Sequence, residues 1–403
     1  MLPKGWTATT LGKLVTIGSG QSPSLFRLRR RGRYPYVRVD DLNLCLKHQT
    51  SSRSYSDDGT MDLVPKGSVL FPKRGAAIMS NKVRIASVPL YMDSNMMAIT
   101  PSDDLLDSDF LYYLITHEQL HRIADTSTIP QINNKHIIPY RIALPPLREQ
   151  RAIAAVISAW DRGIEQTTVL TTTKRQFKAA LAQQLLTGKR RFGEFARASQ
   201  MRATRFIPIP VDWAYPAIEA VASEVRVRKP SGAEMPVLSC TKHDGLVDSL
   251  SYFSRRVFSE DTSSYKVVKR GQFAYATNHL EEGSIGLLDS VEAGLVSPMY
   301  TVFETGSQVH PPFLYKVFKT ELYRHIFEVN TSASVNRRGG LRWDDFARIH
   351  VPLPSLPEQQ RISDCIDTCT AEVRLLQVRL EALKAQERAL MRRLLTGQIR
   401  VKV

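Results

Sequence analysis

Two stretches of this 403-residue chain repeat each other 209 positions apart. The first reads Leu144-Pro145-Pro146-Leu147-Arg148-Glu149-Gln150-Arg151-Ala152-Ile153 and closes on Leu185-Leu186-Thr187-Gly188. The second reads Leu353-Pro354-Ser355-Leu356-Pro357-Glu358-Gln359-Gln360-Arg361-Ile362 and closes on Leu394-Leu395-Thr396-Gly397. The offset is the same at both ends, so the two segments have equal length and act as a ruler. Each begins and stops like a helix. Pro146 and Pro357 fall where a missing N–H costs nothing, and Glu149 and Glu358 put a carboxylate beside the positive end of the helix dipole. Gly188 and Gly397 stand where a left-handed residue would end the helix. Between these signals lie about 38 residues with no proline and only Gly163. A helix of that size is a rod of roughly 57 Å.

The second rod carries a coiled-coil seam with alternating spacings of four and three. Its positions are Ile362, Ile366, Cys369, Val373, Leu376, Leu380, Leu383, Glu387, Leu390 and Leu394, of which Glu387 alone is polar. The offset maps these onto Ile153, Ile157, Trp160, Ile164, Thr167, Thr171, Lys174, Lys178, Leu181 and Leu185. The ends of that first seam are apolar, whereas its middle is polar or shifts face to Leu170 and Phe177. Such stripes must be buried, and one this long outruns a domain of about 150 residues, so helix is expected to pack on helix.

The segments ahead of the rods echo each other more faintly. Trp6 and its neighbours resemble the stretch at Trp213, and Val64–Leu70 resembles Val268–Ala274. Ser94–Ile99 lines up with Ser297–Val302, and Phe110–Tyr113 with Phe313–Lys316. Strands are expected at Val69–Phe71, Arg84–Val88 and Met97–Ile99, with counterparts at Phe273–Tyr275, Ile285–Leu288 and Tyr300–Phe303. Amphipathic helices are expected over Asp109–Ile123 and Pro311–Phe327. The chain therefore reads as a small mixed α/β domain, a rod, a second such domain and a second rod: 1–146, 147–188, a basic linker 189–207, 208–354, 355–397 and a tail 398–403.

Formal net charge is +16 and the isoelectric point about 9.7. A balance this basic favours a polyanion, and with no run apolar enough to span a membrane, nucleic acid leads. Met1–Trp6 shows no signal-peptide core, and Cys45, Cys240, Cys365 and Cys369 show neither a disulfide framework nor a zinc pattern, which fits a cytoplasmic protein. Much of the charge is local. Arg27, Arg29, Arg30, Arg31 and Arg33 crowd one segment beside Phe26, Tyr34 and Tyr36, and Lys189, Arg190, Arg191, Arg197, Arg202 and Arg205 fill the linker. Clustered arginine suits phosphates and guanine edges, although any such run can also be a solvated loop.

No catalytic motif survives inspection. His117-Glu118-Gln119-Leu120-His121 matches the H-E-x-x-H zinc signature, but no third ligand follows, and the equivalent Thr320-Glu321-Leu322-Tyr323-Arg324 lacks both histidines. His310-Pro311-Pro312-Phe313 imitates the N-P-P-F/Y loop of amino-methyltransferases with His in place of the accepting residue, and is expected to start a helix. Gly188-Lys189-Arg190 lacks the rest of a P-loop. No metal or cofactor site is expected on this chain.

The paired Pro-Leu-x-Glu-Gln signatures, the two Leu-Leu-Thr-Gly ends and the stretch Gly294–Phe303 with Phe313-Leu314-Tyr315 resemble type I restriction-modification specificity subunits over nearly the whole chain. The polar middle of the first rod is a departure. The resemblance implies an α/β fold: two similar mixed α/β target-recognition domains separated by two long helices, which form an antiparallel coiled coil with an internal pseudo-two-fold repeat. It implies that each domain reads one half of a bipartite site in double-stranded DNA while the rods set the unread spacer. It also implies partners: two methyltransferase subunits carrying S-adenosylmethionine, and two motor-nuclease subunits using ATP and Mg²⁺. This chain would catalyse nothing. Candidate DNA contacts in the first domain are the five arginines above, then Lys73, Arg74, Asn81 and Lys82, with Gln131, Asn133, Asn134 and Lys135 from a segment that resembles the family's. In the second they are Lys242, His243, Asn278, His279, Asn336, Arg337, Arg338 and Arg342. Asparagine and glutamine can pair with adenine and arginine with guanine, yet each can equally hold phosphate. A fused restriction-methylation enzyme's specificity subunit and a non-enzymatic coiled-coil DNA-binding scaffold stay open as alternatives.

Overall fold

The computed structural model describes residues 2–59, 61–126, 129–196, 200–332 and 340–402. They form two compact units, one of Met1–Val169 with Gln377–Val403 and one of Leu170–Leu376, so each rod contributes one half to each unit.

The first unit is built on a sheet in the order Val15–Ser19, Met96–Pro101, Val69–Pro72, Arg84–Ala86, His48–Gln49; all neighbours are antiparallel except the last pair. The second repeats the first four strands as Ala222–Val225, Tyr300–Thr305, Phe273–Ala276 and Ile285–Leu287, all antiparallel. Ladder register corrects the alignment read from sequence. Phe71 faces Met97 as Tyr275 faces Thr301, which makes Met96 the counterpart of Tyr300 rather than Met299. With a side-chain period of two, the one-residue slip would turn every residue to the wrong face.

A helix covers one face of each sheet. Ser108–Glu118 starts at Asp107, whose carboxylate accepts from the Phe110 N–H at 3.0 Å, and buries Phe110 and Leu111 completely. Its counterpart Pro311–Phe318 starts at His310, as expected, and packs on an aromatic core in which Phe273 and Phe303 stack at 4.7 Å. Neither helix runs as far as its periodicity suggests. The first breaks at Gln119, where φ is +62°, because both ends of the Asn81 amide are inserted there: Nδ2 donates to the Thr116 carbonyl and Oδ1 accepts from the Leu120 N–H. The second stops at Phe318 and restarts at Glu321, with the Thr320 hydroxyl accepting from the Tyr323 N–H.

The rods are 40-residue helices, Leu147–Leu186 and Leu356–Leu395. In the first unit Ile153, Ala154 and Ile157 of one share a core with Met391, Leu394 and Leu395 of the other. In the second, Leu185 and Leu186 join Ile362 and Ile366, and Lys174 bonds Glu372 at 2.9 Å. The start of each rod meets the end of the other, which is an antiparallel coiled coil. Every seam position is buried or half-buried, including Trp160, Ile164, Leu181, Val373, Leu376, Leu380, Leu383 and Leu390. The polar middle of the first rod also stays on the seam: Thr171 is 4% exposed, while Leu170 and Phe177 are 46% and 51% exposed. The drift toward Leu170 and Phe177 is thus not followed, because the apolar ends already set the heptad register.

The repeated Glu-Gln pair does more than complement a dipole. Glu149, 3% exposed, accepts from Nε and Nη2 of Arg400 at 2.6 and 2.8 Å and from the Trp6 indole at 3.1 Å. Glu358 accepts from the same two nitrogens of Arg191 at 2.8 Å, and Arg191 also holds Asp212. The fully buried Gln150 donates to the Pro145 and Leu105 carbonyls and accepts from the Asp107 N–H; Gln359 does the same with Pro354, Gln308 and His310. Gly188 and Gly397 share φ +69°, and a Cβ there would lie within 2.4 Å of Pro210 and 2.3 Å of Pro3.

Replacing Arg191 by Met, which strands a buried carboxylate, is expected to cost about 3 kcal/mol in urea denaturation. Arg400→Met should cost less, since the Arg400 side chain is 42% exposed against 7% for Arg191. Glu387 gives a pH signature. Burial, and secondarily Asp161, pushes its carboxyl up to about 7, with Arg388 opposing. An acid whose folded pKa is raised adds stability below its unfolded value and loses it as pH climbs through the folded one. The melting temperature should therefore fall between about pH 4.5 and 7, and Glu387→Gln should flatten that fall.

Candidate nucleic-acid interface

The strand ends of each sheet form a polar rim of the same construction. In the first unit, the Lys73 N–H donates to the Asn95 carbonyl, and the Ile132 N–H to the Lys73 carbonyl, both at 2.8 Å. Arg74 is bridged to Gln131. In the second unit the Leu341 N–H donates to the Thr277 carbonyl at 2.8 Å. Thr277 and Asn278 there line a cleft of about 590 Å³ with Arg226, Met299, Arg342 and Trp343. Ile132 and Leu341 are both fully buried and fix the correspondence. Lys73 therefore stands where Thr277 does, Arg74 where Asn278 does, Gln131 where Gly340 does, and Asn133 where Arg342 does. One scaffold presents two chemistries. Gly340 lies against the Asn278 side chain: a Cβ on it would come 2.8 Å from Asn278 Oδ1 and would push that amide aside.

Sequence reasoning selected Arg74, Asn278 and Arg342, which are exposed on these rims, but missed Arg226, Met299 and Trp343. Those three gain meaning only from the correct strand register. Lys73 is half-buried, and desolvation lowers its ammonium pKa against the pull of Asp93. Gln131, Asn133, Asn134 and Lys135 are exposed, and the Asn133 N–H donates to His136 Nδ1. Asn81 leaves the candidate set, because its amide is consumed at the helix break; Lys82 beside it is half-buried. Lys242 and His243 are exposed in a turn whose Lys242 carbonyl accepts from Lys319. His279 faces Glu282 at 3.4 Å, so its ring lies beside a carboxylate and is poorly placed for phosphate. Asn336, Arg337 and Arg338 lie outside the described residues, as does Arg197.

The arginine loop is pinned at its base. Phe26 packs on Tyr36 and Tyr91 at 5.0 and 4.8 Å, and the Arg33 N–H donates to Asp57. Arg29 lies 3.8 Å from Asp57, and the Arg33 guanidinium sits over the Tyr34 ring. Arg27, Arg30 and Arg31 are exposed and have no ion-pair partner among the described residues. The zinc-like motif does not assemble: His117 and His121 lie on either side of the Gln119 break, and Glu118 accepts from the Tyr140 hydroxyl at 2.5 Å. Among the described residues, no helix is long and apolar enough to cross a membrane.

Comparison with known proteins agrees with this geometry. The family described as the type I restriction modification DNA specificity domain matches residues 3–172. The type I restriction enzyme MjaVIII specificity subunit of Methanocaldococcus jannaschii is 22% identical over all of this chain and 94% of its own length. The EcoBI specificity subunit of Escherichia coli is 24% identical over 86% of this chain and 75% of its own. A crystal structure of the S subunit of a type I restriction-modification system from M. genitalium superposes with a TM-score of 0.56 at 16% identity, covering 97% of this chain and 96% of that one. A chain from a structural study of complex assembly in the type I R-M system superposes at 0.59 and 17% identity, covering 99% and 100%. At such identities the structural likeness establishes the fold.

Replacing Arg27, Arg30 and Arg31 together by Ala should weaken binding to all duplex DNA sequences alike. The slope of log affinity against log salt should fall by about 3, measured by fluorescence anisotropy across a salt series.

Proposed function

We propose that this chain is a specificity subunit of the type I restriction-modification family and that its two rims read the two halves of a split site in double-stranded DNA. The observation that carries the reading is the pair of corresponding rims with different side chains. A single fold used twice with the same residues would favour a symmetric site. Arg74 and Gln131 against Asn278 and Arg342 favour an asymmetric one, since arginine suits guanine and asparagine or glutamine suits adenine. The locked length of the rods sets the unread spacer.

The rods also dock the enzymes. Leu170 and Phe177 lie seven residues apart on one helix face and are exposed, which supplies apolar area for a partner's helices. We assign that role to two methyltransferase subunits holding S-adenosylmethionine, with two motor-nuclease subunits using ATP and Mg²⁺ joining the cytoplasmic complex. This chain contributes recognition and assembly and holds none of those cofactors.

Base-resolution methylome sequencing with and without the gene should show loss of one split adenine-methylation motif; an unchanged methylome would refute the reading. Arg74→Ala should relax only one half of the motif and Asn278→Ala only the other, each by about 1–3 kcal/mol of base discrimination.

A further inference from the structure

We propose that the cleft between helix Ser108–Glu118 and the rods receives one basic side chain, a lysine or arginine, from a protein docked on this chain, with Glu387 as its counter-ion. The proposal rests on the reading that a methyltransferase subunit docks on the rods. The cleft measures about 720 Å³ and is lined by Tyr112, Tyr113 and His117 of the helix, Asp161 of the first rod, and Glu387 and Met391 of the second.

Glu387 is the anomaly. It occupies a seam position, is 9% exposed, and has no hydrogen-bond or ion-pair partner among the described residues. A buried carboxylate without a partner is costly, and leucine would serve the seam better. Other acids at this junction are answered from within. Tyr113 donates its hydroxyl to Asp161 at 2.5 Å, and Lys47 is held by Tyr113 and by Asp109 at 2.6 Å. In the second unit, Lys316 occupies the place of Tyr113 and donates to Asp367 and Ser363 at 2.8 and 2.9 Å. That unit supplies its own ammonium; the first leaves Glu387 facing an open cleft.

The surroundings say what kind of cation fits. The Lys47 ammonium already lies over the Tyr112 and Tyr113 rings, at 5.1 and 4.2 Å, so this wall accepts an ammonium or guanidinium, and a second cation would seat against Glu387. Arg122, Arg388 and Arg392 also line the cleft. Their charge repels a free cation arriving from solution, whereas a side chain carried in by a docked protein has its approach driven by the rest of that interface.

The test measures affinity between the full chain and its co-encoded methyltransferase subunit. Absence of a complex with the wild type would overturn the docking reading and this proposal with it. Given a complex, Glu387→Leu and Glu387→Gln should each weaken it at least tenfold, mainly through faster dissociation, while Glu387→Leu raises the melting temperature of the free chain. Lys178→Leu, at the equivalent seam position of the first rod, should leave affinity unchanged. Wild-type affinity in both Glu387 variants would overturn the cation-receptor assignment alone. Spermidine supplies the other outcome: a Glu387-dependent rise in the free chain's melting temperature with spermidine would assign the cleft to a free polyamine and overturn the proposal.

Discussion

Two buried carboxylates organise this protein. Glu149 and Glu358 sit in the first turns of the rods, nearly sealed from water, where an unpaired charge costs several kcal/mol. Each is neutralised by an arginine three residues beyond the glycine that ends the other rod, Arg400 for Glu149 and Arg191 for Glu358. The start of one helix and the end of the other are thereby fixed to one point, and at Glu149 the Trp6 indole joins them. Gly188 and Gly397 follow from that closure, since a side chain at either would collide with the proline passing over it. So does the equal length of the rods: an extra residue in one would misalign both the seam and the clasp at its end.

With the ends held, the middle of the seam is free to be poor. Thr171 and the half-buried Lys174 and Lys178 occupy positions where a free-standing coiled coil would want leucine. The cost is tolerable because packing at both ends has already chosen the register. The same logic leaves Leu170 and Phe177 facing outward, available to another protein.

The helical framework was legible in the sequence because its signals are local and periodic: proline and acid at the start, glycine at the end, a heptad between. The strands at Val69, Met96, Phe273 and Tyr300 were legible for the same reason. What escaped was decided by contacts between residues far apart in the chain. The helix at Ser108 stops because Asn81, 38 positions upstream of Gln119, inserts its amide there; nothing near Gln119 announces it. The one-residue slip at Met96 arose because both registers place apolar residues in the strand, and only the ladder decides between them. The candidate site was legible as a composition of basic and amide side chains. Its organisation into matching rims needed the register, which is what places Arg226, Met299 and Trp343 beside Asn278 in one cleft, while the Asn81 amide is bonded at the helix break.

In the proposed function, two equivalent rims read DNA at a spacing the rods impose. Its most direct test inserts one heptad at matched midpoints of both rods, near residues 169 and 377, so that the seam keeps its phase. Seven helical residues add about 10.5 Å, which at about 3.4 Å per base pair is close to three base pairs. Methylome sequencing should then report both half-sites unchanged and a spacer longer by about three base pairs. A changed half-site, or an unchanged spacer in an active complex, would show that the rods do not set the distance between the half-sites.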